Sequence, residues 1–164
     1  MNLIHFNLAS AAEAQHSIDH CVALPDWAAG LVDARPFSSL EALWLKADAL
    51  AQAWDEAALN QALSAHPRIG ERAPGTGKEA ELSSREQGQV NPADTALAQA
   101  LRAGNAAYEQ RFGRVFLIRA KDRSGEQILA ELRRRLLNDA QQEQREALQQ
   151  LREITLLRLK ETFR

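Results

Sequence analysis

Apolar residues in this chain recur at steps of three and four, and each run is bounded by residues that start or stop helices. The clearest run is Leu40, Leu43, Trp44, Ala47, Leu50, Ala51 and Trp54, one face of a helix started by Ser38 or Ser39. A half-buried strand would instead alternate with a period of two. Only Val115-Phe116-Leu117-Ile118 invites that reading, and a lone strand has no partner, so the segment reads as a buried extended connector. The chain is expected to be all-α, a single-domain helical bundle of about seven to nine helices over residues 1–164.

The remaining helices follow from the same signals. Ser10 caps a helix from Ala11 to about Cys21, and Leu24-Pro25-Asp26 opens another through Leu31 and Val32 that Pro36 closes. Asp55 caps Glu56 to Ala65. Pro92 and Asp94 open a long helix carrying Leu97, Leu101, Ala106 and Tyr108 and ending near Phe112-Gly113. Ser124 starts one with Ile128, Leu129, Leu132, Leu136 and Leu137. The last runs from about Asp139 to Phe163 with Leu148, Leu151, Ile154, Leu157 and Leu159. Trp27, Trp44 and Trp54 are assigned to core and rim packing.

Composition narrows the function classes. A formal net charge of −2 argues against a nucleic-acid binder, which is normally basic. Cys21 is the single cysteine, so an intrachain disulfide and a four-cysteine zinc site are excluded, and a cytoplasmic location is expected. No apolar run approaches about 20 residues, so no membrane partner is expected. The start Met1-Asn2-Leu3-Ile4-His5-Phe6 lacks the pattern of a signal peptide, and Thr162-Phe163-Arg164 is not a peroxisomal address.

Residues 66–82 break the helical pattern with Pro67, Gly70, Pro74, Gly75 and Gly77, longer than a mere connector. His66 precedes Pro67, which pushes it out of the α region and leaves an imidazole at a helix end. It reads either as a surface or capping histidine or as a proton-moving group beside a loop that wraps a small ligand. Ser83-Ser84-Arg85-Glu86 matches a capping box, and its amides together with Gln87 also suit polar ligand atoms. Glu86 beside His66 would raise the imidazole pKa and fix its tautomer. Arg158 projects within about 20° of Leu151 on the last helix, the apolar side. Its guanidinium there serves an internal salt bridge, snorkels to the rim, or holds an anionic substrate.

Other features carry less. His16 and His20 stand four apart on a helix, a spacing zinc uses, but without further ligands they read as a solvated face and no metal site is assigned. Arg133-Arg134-Arg135 reads as a solvated basic surface beside Glu131 and Asp139. Gly75-x-Gly77-Lys78 lacks the full spacing of a phosphate loop.

Taken in order, several short motifs make a pattern along nearly the whole chain: Phe6-Asn7, a tryptophan-bearing helix, His66-Pro67 with Gly70, Ser-x-x-Glu-Gln at 83–87, Asn-x-x-Tyr-x-x-Arg-Phe-Gly at 105–113, the apolar stretch 116–120, and Leu157-Arg158-Leu159. In that order and spacing the chain resembles the 2-oxo-4-hydroxy-4-carboxy-5-ureidoimidazoline (OHCU) decarboxylases of urate degradation. The resemblance implies an all-helical, cofactor-independent carboxy-lyase that converts OHCU to S-allantoin. It implies that His66 is the catalytic histidine, Glu86 the essential glutamate and Arg158 the C-terminal arginine. Substrate contacts would fall on Pro67, Ser83, Ser84, Arg85, Gln87 and the backbone of Phe116, Leu117, Ile118, Arg119 and Ala120. The chain departs from many relatives at Arg68-Ile69-Gly70-Glu71-Arg72 and at Arg114, where phenylalanine is frequent. The partner is then a small-molecule substrate, with a homodimer left open. Two rival readings remain at this stage: a non-catalytic helical interaction domain, and a ureide hydrolase that uses His66 to activate water.

Overall fold

A computed structural model of the chain describes residues 1–64 and 95–163. Among them are eight α-helices and no strand, as the apolar spacing requires: α1 (Leu3–Leu8), α2 (Ala11–Ile18), α3 (Pro25–Asp33), α4 (Leu40–Gln52), α5 (Glu56–Leu63), α6 (Thr95–Phe112), α7 (Gly125–Arg135) and α8 (Ala140–Thr162). Ala65, the expected loop 66–82 and the expected helix starts at Ser83, Pro92 and Asp94 lie outside the described residues.

Most helix starts stand where the capping residues put them. Ser10 Oγ accepts from the Glu13 amide and Asp55 Oδ1 from the Ala58 amide. Of the two serines before α4, Ser39 is the cap, accepting from the Ala42 amide. Ser124 and Gln127 close a reciprocal capping box on α7, and Asp139 Oδ1 accepts from Gln142 N at the head of α8. Gly113 ends α6 with φ +72°, a conformation that favours glycine, and its amide bonds Glu109 O at 2.8 Å.

Several expectations need correction. The helix from Ala11 leaves α geometry at Ile18 and continues as a 3-10 turn over Asp19–Cys21. That turn breaks the α period, so His16 and His20 do not share a solvated face. His16 is exposed, with its Nδ1 3.6 Å from Asp19 Oδ2, while His20 is buried and its Nε2 lies 2.9 Å from Thr162 Oγ1. In α6 Asn105 is buried beside Leu97, Leu101 and Tyr108, and Ala106 is exposed. The basic run is not one solvated surface either, because Arg135 is only 1% exposed. Arg135 lies at i+3 from Leu132 and i+7 from Ile128, both buried, so helix geometry alone carries it inward. The same α7 ends at Arg135, which leaves Leu137 largely exposed.

The chain divides into two compact units, Met1–Ala62 with Arg152–Arg164, and Leu63–Leu151. In the first, Phe6 is fully buried, stacked on Phe37 and edge-on to Phe163. Asn7 follows it and exchanges two hydrogen bonds with the Phe37 backbone, 3.0 Å and 2.9 Å. Arg35 Nη1 donates to the carbonyls of Phe6 and Ala9, at 2.8 Å and 2.7 Å. The Phe6-Asn7 pair is therefore an anchor for α1, and its amide is spent on backbone. Trp27, buried as expected, donates Nε1–H to Ala47 O, and Trp44 and Trp54 are half-buried.

In the second unit α6 and α7 pack closely. A Cβ on Gly104 would stand 2.5 Å from Leu132 Cδ2, so the absence of a side chain there permits the approach. Phe116, Ile118 and Ala120 join Leu101, Tyr108 and Ile128 in one buried cluster. The segment is thus a buried connector assigned to no helix or strand, and every second residue of it enters this cluster.

At the surface of this unit Arg134 bridges Glu131 and Glu146, at 2.8 Å and 2.6 Å. Arg134 holds the Glu146 carboxyl down to about 2 from its ordinary 4.5, and lowers Glu131 in the same direction. A depressed carboxylate contributes stability that is fully present above its unfolded value and is lost as pH falls through the folded one. Denaturant melts between pH 7 and pH 2 should therefore show a stability component fading from about 4.5 towards 2. Glu146→Gln should flatten that part of the profile; an unchanged slope would remove Glu146 as its source.

Candidate functional site

Seven of the residues singled out by the sequence, His66, Pro67, Ser83, Ser84, Arg85, Glu86 and Gln87, lie outside the described residues. Arg158 and the segment Phe116–Ala120 lie within them.

Arg158 is 1% exposed, on the same side of α8 as the buried Ile154. Its helical register turned it inward, as the spacing predicted. Nη1 donates to Cys21 O at 3.4 Å, a long bond from the guanidinium to the end of the 3-10 turn. Thr162 Oγ1, which also meets His20, donates to Arg158 O at 2.8 Å. An arginine's planar fork of N–H donors is by its chemistry suited to carboxylate or ureido oxygens.

The segment 116–120 is buried except at the half-exposed Arg119. Its main chain is tied at named points. Leu117 O accepts from Arg135 Nη1 at 2.6 Å, and Arg119 N–H donates to Gln150 Oε1 at 2.8 Å. Ala120 O accepts from Arg123 N at 3.1 Å, turning the chain towards α7.

Behind Leu117 lies a polar cluster that the sequence reading missed. Arg135 Nε donates to both carboxylate oxygens of Glu143, 3.0 Å and 3.1 Å away, and Nη2 donates to Oε2. Tyr108 Oη donates to the same Oε2, and Asn138 Nδ2 to Oε1. Burial first, and then the hydrogen bond to Glu143, push the Tyr108 hydroxyl well above its ordinary range. Tyr108 is thus a committed donor, and Glu143 a full acceptor. The Arg135 guanidinium also covers the Phe116 ring at 4.5 Å. The signal for Arg135 was its i+3 and i+7 spacing from buried leucine and isoleucine. Glu143 is brought in by the turn between α7 and α8.

Among the described residues no group of three or more His, Cys, Asp and Glu is placed to hold a metal, and no helix is long and apolar enough to cross a membrane.

Comparison with known proteins bears on the same pattern. The family model described as OHCU decarboxylase matches residues 7–160. A protein of Haloferax volcanii named 2-oxo-4-hydroxy-4-carboxy-5-ureidoimidazoline decarboxylase is 35% identical over 133 residues, 79% of this chain and 76% of its own length. A uric acid degradation bifunctional protein of Bacillus sp. is 26% identical over 167 residues, covering all of this chain and 32% of its own. Among solved structures, that of an OHCU decarboxylase in the presence of (S)-allantoin is similar with a TM-score of 0.68 and 26% identity, over 88% of this chain and 95% of that one.

Proposed function

This chain belongs to the OHCU decarboxylase family, and we propose that it is a carboxy-lyase of urate degradation that converts OHCU to S-allantoin through His66, Glu86 and Arg158. The observation that carries this reading is the family match along residues 7–160. The reading places the enzyme in the cytoplasm and is compatible with a monomer or a homodimer.

The substrate's own chemistry sets what the protein must do. A carboxylate and a hydroxyl share one ring carbon, next to a ring C=N. When carbon dioxide leaves, the bonding electrons pass into that C=N, so the electron sink is already in the ring. The protein has to turn the carboxylate out of the ring plane, stabilise the developing enol or enolate, and confine protonation to one face. Orientation and fixed hydrogen bonds supply much of such a barrier reduction.

We assign His66, tuned by Glu86, to proton traffic at the substrate hydroxyl and nascent enol. Pro67, residues 83–87 and the main chain of 116–120 are assigned to hold the ring and its ureido arm. In that segment the Arg119 amide and the Leu117 carbonyl already have protein partners. The burial and inward turn of Arg158 support its assignment to an anionic or polar part of the substrate.

The test is incubation with freshly generated urate-oxidation intermediates, following carbon dioxide and the handedness of allantoin. Release of carbon dioxide with S-allantoin is expected; ureide hydrolysis, or silence from folded protein, overturns the reading. Arg158→Lys separates binding from architecture, because it keeps the charge and loses the planar fork. It should lower kcat/KM at least tenfold, about the loss of one charged hydrogen bond, while Tm moves little. A destabilised variant with normal kinetics would make Arg158 a structural residue.

A further inference from the structure

We propose that Arg135 and Gln150 form a two-point clamp on the Leu117–Arg119 backbone and serve as positioning residues for the substrate. The proposal rests on the decarboxylase reading, which gives the main chain of 116–120 its substrate contacts.

The segment has an unusual problem. It is buried, and its alternate residues Phe116, Ile118 and Ala120 enter one cluster as they do in extended chain, yet no neighbouring strand is present among the described residues to hold its register. Main-chain groups buried in such a place need specific partners. Two side chains supply them: Arg135 from α7 donates to Leu117 O at 2.6 Å, and Gln150 from α8 accepts from Arg119 N–H at 2.8 Å. In extended chain, residues two apart direct their main-chain groups to the same edge, and the residue between them faces the opposite edge. The clamp therefore grips one edge and leaves the Ile118 peptide groups on the other.

Arginine can do this where lysine cannot. Its fork engages the Glu143 carboxylate through Nε and Nη2 while Nη1 remains for the Leu117 carbonyl. Tyr108 and Asn138 fix the carboxylate in turn, and the guanidinium lies against Phe116, the first residue of the segment. Both grips come from outside the segment, so its position is set by α7 and α8 and not by its own conformation.

The clamp is tested with Gln150→Ala, Gln150→Glu and Arg135→Lys under steady-state turnover of OHCU, alongside titration with S-allantoin. Gln150 is half-buried, so its alanine variant should stay folded, melting only a few degrees lower for the loss of one hydrogen bond. That variant should raise KM about tenfold, the scale of one hydrogen bond, with kcat within about threefold. Allantoin affinity should fall in parallel. Gln150→Glu keeps an acceptor for the Arg119 amide and should restore KM. Arg135→Lys should raise KM at least as far; if it does not fold, the Gln150 pair decides alone. A folded Gln150→Ala enzyme with wild-type KM and allantoin affinity overturns the clamp while leaving the decarboxylase reading intact. A wild-type protein that does not decarboxylate OHCU removes the decarboxylase reading and the positioning role with it.

Discussion

Exchange of His66 for asparagine is expected to leave the chain folded and to lower turnover by about 10²–10⁴-fold, the usual contribution of a general acid or base. Asparagine keeps polarity and hydrogen bonding at the residue before Pro67, so backbone demands at that position are little changed. What it removes is a group whose proton affinity lies near neutral pH. Decarboxylation of a ring with its own electron sink would still proceed slowly on orientation and placed hydrogen bonds, so the loss should stop short of the uncatalysed rate. Circular dichroism and a carbon dioxide assay on the same preparation check both halves. Turnover near wild type in the folded variant would move the proton chemistry to another residue.

Legibility from sequence divided along physical lines. Helix starts were readable because capping is local: Ser10, Ser39, Asp55, Ser124 and Asp139 each bind an amide three residues on. Helix α1 was not foreseen, since six residues are too few to show a helical period. Asn2 nevertheless caps it, accepting from His5 N at 2.7 Å. His20 was misplaced because a 3-10 turn begins one residue before it and resets the face.

The two buried arginines are instructive together. Arg158 and Arg135 both stand seven residues after a buried apolar residue, Leu151 and Ile128. The first was read inward because its helical period sets it beside Leu151, on the apolar side. The second was read outward because Arg133 and Arg134 precede it, and both of those are exposed. Period, not the company of like charges, was the better guide. The carboxylate that makes burial of Arg135 tolerable arrives from the next helix, and no local pattern announces such a partner. The motif Asn105–Gly113 was legible as a pattern but not as a role. Its Tyr108 supports Glu143, and its Arg111 Nη2 donates to Asn138 O at 2.7 Å.

Glu143 and Glu146, one helical turn apart on α8, should respond very differently to truncation. Each is bonded to an arginine of α7 and to Asn138. Glu143 is fully buried with Arg135, whereas the Glu146 side chain is 23% exposed and its Arg134 partner 50%. Removing one member of a buried pair leaves the other charge in a place water does not reach, at a cost of about 3–5 kcal/mol. Glu143→Ala also deprives the buried Tyr108 hydroxyl of its acceptor, which places the loss towards the upper end of that range. At the half-exposed pair, solvent and salt replace what is lost, so Glu146→Ala should cost about 0–1 kcal/mol. For a chain of this length 1 kcal/mol moves Tm by about 2–4 °C, so the first variant should melt roughly 6–20 °C lower and the second within a few degrees of wild type. Raising the salt concentration should narrow any Glu146 effect and leave the Glu143 effect in place, because screening acts on exposed charges. Equal losses in the two variants, or a Glu143 loss that salt abolishes, would mean that water reaches the Arg135–Glu143 pair and that it does not anchor this unit.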